Sequence, residues 1–229
     1  KVDYRKLRKN VATAVKFLDR VIDRNFYPVP EAKNSNNHWR PVGLGLMGWQ
    51  DMLFQLRLPF DSQEAIDLAA KIQEEIYFVA LKTSCDLAKK YGAHRDFAKT
   101  HVAQGKFQFE LANSPFVADK EWNELREEIK THGLRNSLLI AVAPTATISG
   151  IFGANECIEP QISNIFKRET LSGEFITVNK YLIQDLKDRG IWNTNVLGQI
   201  RANDGSIQDI AEIPNELKEL YKTAWEIKQ

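Results

Sequence analysis

Apolar residues recur three and four apart from Asp3 to Asn25. Leu7, Val11, Val15, Leu18, Val21 and Ile22 line one side, with Arg and Lys opposite. That spacing predicts an amphipathic helix, because residues three or four apart share one helical face. Phe26-Tyr27-Pro28-Val29-Pro30 breaks it, since proline lacks an amide proton and restricts the residue before it. Asn34 to Asn37 reads as a polar loop, Val42 to Leu46 as a short strand, and Trp49 to Leu58 as the helix after it. A longer stripe follows, with Ile66, Ala69, Ala70, Ile72, Ile76, Val79, Ala80, Cys85 and Leu87, and predicts a helix reaching about Tyr91. Asp61 or Ser62 is placed to cap it, Glu64 to close a capping box, and Gly92 to end it.

Phe97 to Pro115 shows no period, and Phe107-Gln108-Phe109 is either a short strand or an aromatic plug. Asp119 to His132 reads as a helix stopped by Gly133. Leu138 to Ala143 is an unbroken apolar run of the length of a buried strand, ended by Pro144. Phe166 to Glu169 and Leu171 to Phe175 read as loops or short strands. Val178 to Arg189, Asn193 to Asn203 and Pro214 to Lys228 read as helices, with Asp204-Gly205 as a turn. Strands alternating with long helices predict an α/β arrangement with parallel pairing. The convincing strands are too few to form the whole core, so the chain reads as a helix-rich piece of a larger domain.

Composition narrows the picture. The chain has 229 residues, 27% charged, with a formal net charge of +1, so no global electrostatic pull toward nucleic acid or an anionic membrane exists. No run of about 18 apolar residues occurs, so no membrane helix is expected. The start, KVDYRKLRKN, lacks the apolar region of a signal peptide. Two cysteines, Cys85 and Cys157, far apart, suggest a reducing, cytoplasmic setting. Cys85 sits on the apolar stripe and reads as a packed thiol.

The chemistry-bearing patterns are few. Gly43 to Gly48, GLGLMG, matches the dinucleotide fingerprint in letters but lacks the buried strand that must precede it. Its glycines read better as sites of close backbone approach. The histidines His38, His94, His101 and His132 form no metal-ligand spacing, so no metal site is expected. Glu156 and Glu159 read as surface carboxylates. After Pro144 come small and hydroxyl residues, Thr145, Ala146, Thr147 and Ser149. Such a turn offers amides and hydroxyls to an anion, and a helix starting near Thr147 adds its unpaired N–H groups. Local pattern alone favours an ordinary strand closed by a Pro-Thr turn.

Six separated segments change that balance. FYPVPEA (Phe26–Ala32), RPVGLGLMG (Arg40–Gly48), LRNSLLIAVAPTATIS (Leu134–Ser149), IEP (Ile158–Pro160), LSGEF (Leu171–Phe175) and EIPNELKELYKTAWEI (Glu212–Ile227) resemble, in order, the large catalytic subunit of class I ribonucleotide reductase. The resemblance covers essentially the whole chain. It implies a segment, residues 1–229, from the second half of a ten-stranded α/β barrel. The ATP cone, the catalytic finger loop and the C-terminal tail would lie outside it. It implies reduction of ribonucleoside diphosphates by radical chemistry, with a metal-bearing small subunit as radical source. ATP and dNTP effectors, a thioredoxin-type reductant and a large-subunit homodimer are implied for the full enzyme, and no nucleic acid or membrane partner.

In the family the turn resembling Pro144 to Ser149 holds the substrate phosphates, which implies that role for Thr145, Ala146, Thr147, Ile148 and Ser149. Many relatives have Ser-Thr-Ala where this chain has Thr147-Ile148-Ser149, so one hydroxyl is missing here. Asn155-x-Cys157-x-Glu159 repeats the spacing of the family's catalytic triplet, but that triplet lies far upstream of the phosphate turn. Cys157 is therefore expected to be a packed or loop cysteine, and no catalytic residue is expected in the segment. Two other readings stay open: an adenosylcobalamin-dependent reductase, which has a similar turn, and a non-catalytic phosphate-binding or interaction module on the same skeleton.

Overall fold

The structure is a computed structural model describing residues 1–228 except 113, 115, 117, 118, 171 and 172, with backbone only at 168–170. Ten α-helices and one two-stranded sheet are present among the described residues. The chain divides into two units: residues 1–45 with 70–142, and 46–69 with 143–229.

In the first unit, α1 (Tyr4–Arg24) starts at Asp3, whose carboxylate accepts from the Lys6 amide at 2.9 Å. Its buried face is Val11, Val15, Asp19 and Ile22. Leu18 and Val21, read from sequence as part of the stripe, lie off that face, and the acidic Asp19 takes their place. α2 (Pro30–Trp39) replaces the expected loop at Asn34 to Asn37. It buries no residue, so it carries no apolar period to reveal it; Pro30 in its first turn and Arg40 in the left-handed region (φ 47°) mark its ends. α4 (Gln63–Tyr91) runs as expected, its first seven residues counted with the second unit. Ser62 is the cap that accepts from the Ala65 amide, which puts Glu64 one place short of a capping box. Gly92, at φ +85°, ends the helix. Ile72, Ile76, Ala80, Leu81 and Cys85 of α4 are buried, and burial raises the Cys85 thiol pKa, in keeping with a packed thiol.

The short α5 (Gln108–Leu111) follows Phe107, which is fully buried. Phe107, Phe109 and Phe116 surround Trp122 with ring centroids 5.0–5.8 Å away, so the aromatic-plug reading holds rather than the strand. α6 (Lys120–His132) is capped by Asp119 and stopped by Gly133.

The apolar run at 138–143 is not a buried strand among the described residues. Leu138 and Val142 are exposed, and its one ladder contact is a parallel bridge between Leu44 and Ile140. The Leu44 amide donates to the Leu139 carbonyl (2.8 Å) and the Ala141 amide to the Leu44 carbonyl (3.1 Å). A Cβ on Gly45 would stand 2.4 Å from the Ala141 carbonyl oxygen, so glycine is required for this approach. Helix α2, not a strand, precedes GLGLMG, which removes the dinucleotide-binding context.

One polar cluster lies inside this unit. Arg40 is 4% exposed and donates to Asp19 (Nε, 2.9 Å) and bidentately to Asp23 (2.7 and 2.9 Å). Asn136 Nδ2 donates to Asp19 (3.0 Å) and to the Arg40 carbonyl (3.1 Å), and Ser84 Oγ donates to Asn136 Oδ1. Burial opposes the Arg40 charge, yet the Asp23 and Asp19 bonds outweigh it and hold its pKa above the ordinary value.

In the second unit, α3 (Trp49–Leu56) begins after Gly48, and α7 (Ala146–Phe152) after Thr145. Strands β1 (Ile165–Thr170) and β2 (Gly173–Val178) form an antiparallel hairpin, Ile165 opposite Val178 and Thr170 opposite Gly173. Of the loop-or-strand readings there, the strand alternative holds except at Leu171 and Ser172, which lie outside the described residues; this hairpin is antiparallel, and the parallel pairing expected occurs at the Leu44–Ile140 bridge. α8 (Lys180–Asp188) is capped by Asn179 and α9 (Thr194–Ala202) by Asn193. α10 (Asn215–Leu220) is far shorter than the helix expected to Lys228. Beyond Leu220 the backbone finds other acceptors: the Thr223 amide donates to the Glu226 carboxylate (2.6 Å) and the Ala224 amide to the Gln161 carbonyl (2.8 Å). The core joins Phe54 to Leu182, Leu186, Val196, Ile200, Ile207, Ile210, Ile213, Leu217, Leu220 and Tyr221. Among the described residues no helix is long and apolar enough to cross a membrane.

Candidate functional site

The turn entering α7 is the candidate site. Pro144, Ala146, Thr147 and Ile148 are exposed and Thr145 is half-buried. Thr145 has φ 57° and ψ 20°, in the left-handed region. A β-branched residue there carries roughly 1–3 kcal/mol of backbone strain, of the kind that collects at ligand-binding turns. The helix begins one residue before the expected start near Thr147. As in any helix, its first amides have no intrahelical acceptor, and those of Thr147 and Ile148 lie at the exposed end. With only seven residues in α7, the exposed end offers individual amides rather than a long helix dipole.

Ser149 differs from the other four residues of the turn. Its amide donates to the Thr145 carbonyl at 2.9 Å. Its side chain is fully buried, and its hydroxyl has no hydrogen-bond partner among the described residues. Two hydroxyls of the turn remain, that of the exposed Thr147 and that of the half-buried Thr145. The Thr145 hydroxyl oxygen accepts from the Cys157 amide at 2.8 Å, so its own proton remains for an external acceptor.

The Asn155, Cys157 and Glu159 triplet is a turn held by its own hydrogen bonds. Asn155 Nδ2 donates to the Glu159 carbonyl at 2.7 Å. Cys157 is 6% exposed and sits at φ 48°. This is the packed loop cysteine expected from sequence. Of the two carboxylates read as surface groups, Glu159 is exposed and Glu156 half-buried at the bend.

Sequence reasoning missed two residues beside this loop, Gly48 and Asp51. The Gly48 amide donates to the Asn155 carbonyl at 2.9 Å, and Asp51 Oδ2 accepts from the Asn155 amide at 2.5 Å. The available signal was the last glycine of GLGLMG followed three residues later by an acid, a start-of-helix pattern. Among the described residues no group of three or more His, Cys, Asp or Glu is placed to hold a metal ion.

Comparison with known proteins places the sequence in a family. A family sequence model described as "Ribonucleotide reductase, barrel domain" matches residues 1–229. The ribonucleoside-diphosphate reductase large chain of Schizosaccharomyces pombe is 46% identical over 229 residues, covering 100% of this chain and 28% of that protein. The large subunit of Danio rerio is 47% identical over 227 residues, 99% of this chain and 29% of that protein. The large chain 2 of Saccharomyces cerevisiae is 50% identical over 212 residues, 93% of this chain and 24% of that protein. The chain thus spans 24–29% of these relatives' length. A match over every residue and identities of 46–50% establish that this chain belongs to the ribonucleotide reductase barrel-domain family.

Proposed function

We propose that this chain is the part of a ribonucleoside-diphosphate reductase large subunit that receives the substrate's phosphates at Thr145 to Ser149. One observation carries the reading: the turn bearing the family's phosphate-binding pattern is exposed and presents the Thr147 and Ile148 amides outward. The Thr145 and Thr147 hydroxyls and the amides of Thr147 and Ile148 supply the contacts. Ser149 closes the turn through its amide, so the hydroxyl lost at Ile148 is replaced by main chain rather than by Ser149 Oγ. Main-chain amides suit this work because they are fixed donors that need no side-chain ordering.

In the complete enzyme this segment serves reduction of ribonucleoside diphosphates to deoxyribonucleoside diphosphates. The thiyl-bearing cysteine, the radical-supplying metal small subunit, the thioredoxin-type reductant and the ATP or dNTP effectors belong to other parts of that assembly. The parallel contact of Leu44 with Ile140 is consistent with two adjacent segments of a partial barrel. Alone, the chain binds substrate phosphate and does not turn over.

Titration of the isotope-labelled chain with a nucleoside diphosphate tests the site. Amide shifts concentrated at residues 145–149, reproduced by inorganic phosphate at higher concentration and not by a nucleoside, are expected. Shifts confined to other surfaces refute the reading.

A further inference from the structure

The G-x-G-x-x-G stretch is left without a dinucleotide to bind, yet its last glycine and the acid after it hold the loop behind the proposed phosphate turn. Gly48, at φ +75°, caps α3 and donates its amide to the Asn155 carbonyl. Asp51, one turn into the same helix, accepts the Asn155 amide. Both backbone groups of Asn155 are thus gripped by the first turn of α3. The Asn155 side chain braces the Glu159 carbonyl, and two residues on, the Cys157 amide donates to the Thr145 hydroxyl. Thr145 and Cys157, joined by that bond, both occupy the left-handed region without being glycine. Such conformations persist only where surrounding contacts over-determine them.

We propose that Asp51, acting with Gly48, is a positioning residue for the phosphate-binding turn. It fixes Asn155, and through the Cys157 amide it orients the Thr145 hydroxyl so that its proton faces the diphosphate. The proposal rests on the reading of residues 145–149 as that binding turn. Asp51 touches no substrate. Its carboxylate is an acceptor for one main-chain amide, and the electrostatics of an anion site would by themselves disfavour an acid so close. An acid tolerated there is explained by its bond to the Asn155 amide.

Asp51→Ala and Asp51→Asn in the full-length protein test this, the second keeping an acceptor oxygen for the Asn155 amide while removing the charge. The readouts are amide hydrogen exchange across 143–159 without ligand and affinity for a nucleoside diphosphate against the matching nucleoside. Losing a charge-assisted bond predicts about tenfold weaker diphosphate binding in Asp51→Ala, with nucleoside binding unchanged. It also predicts faster exchange confined to this loop. Asp51→Asn is expected to restore most of both. Unchanged exchange at 143–159 in Asp51→Ala, or equal acceleration across α8 to α10, overturns the positioning role. Wild-type protein that binds diphosphate without protecting 145–149 overturns the underlying site reading instead, because the ligand-free exchange result still reports whether Asp51 holds the loop.

Discussion

Replacing Arg40 by Met probes the buried polar cluster of the first unit. Met keeps an unbranched stem in the space and removes the charge. The loss has two parts. The bidentate bond to Asp23 ends on a carboxylate that is 52% exposed, so water replaces it at little cost. The bond to Asp19 ends on a side chain 6% exposed, where water cannot substitute. Removing one partner of a buried pair costs roughly 3–5 kcal/mol, because the other charge stays buried. Asp19 would retain the Asn136 amide at 3.0 Å and Arg135 Nε at 3.8 Å, which sets the expectation at the lower end, about 3 kcal/mol. Urea unfolding followed by tryptophan fluorescence measures it, since Trp122 lies in the same unit. Asp19→Asn combined with Arg40→Met removes the stranded charge, so the double variant should recover at least about 1 kcal/mol relative to the sum of the singles. A loss under about 1 kcal/mol for Arg40→Met, or strict additivity, refutes this account.

Two further outcomes follow from the packing. His94 is 4% exposed, its Nδ1 has no partner among the described residues, and its pKa lies below the ordinary histidine value chiefly because of burial. The unfolded chain then takes up a proton first as pH falls, so stability is constant above about pH 6.5 and declines below it toward the folded-state pKa. His94→Phe, packed against Trp39 and Phe97, should flatten the dependence of unfolding free energy below about pH 6.5; an unchanged slope counts against it. Gly45→Ala should lower stability by about 1–3 kcal/mol by forcing residue 45 from the Ala141 carbonyl, whereas a silent substitution in thermal melts would show that this contact is dispensable.

Legibility in the sequence tracked how local the cause was. α1, α4, α6, α8 and α9 were readable because each carries its own period and caps: Asp3, Ser62, Asp119, Asn179 and Asn193 all accept from a nearby amide. α2 was missed because an exposed helix writes no apolar stripe. α10 was overextended because the period continues past Leu220 while the backbone there is claimed by Glu226 and Gln161. The run at 138–143 has a strand's composition, but a strand exists only through pairing, and here the pairing is one bridge.

The sequence by itself determined the helices that carry their own period and caps, the need for close-packed glycines and the family, since caps, periods and ordered motifs act over a few residues each, while the choice of plug over strand at Phe107 to Phe109 came from packing on Trp122. Tertiary structure alone decided that Asp19 belongs inside, that Ser149 turns its hydroxyl away from solvent, and that Gly48 and Asp51 hold Asn155. Asp19 and Asp51 find their partners Asn136 and Asn155 more than a hundred positions away, the Ser149 hydroxyl is enclosed by packing, and such long-range contacts leave no periodic trace in the order of amino acids.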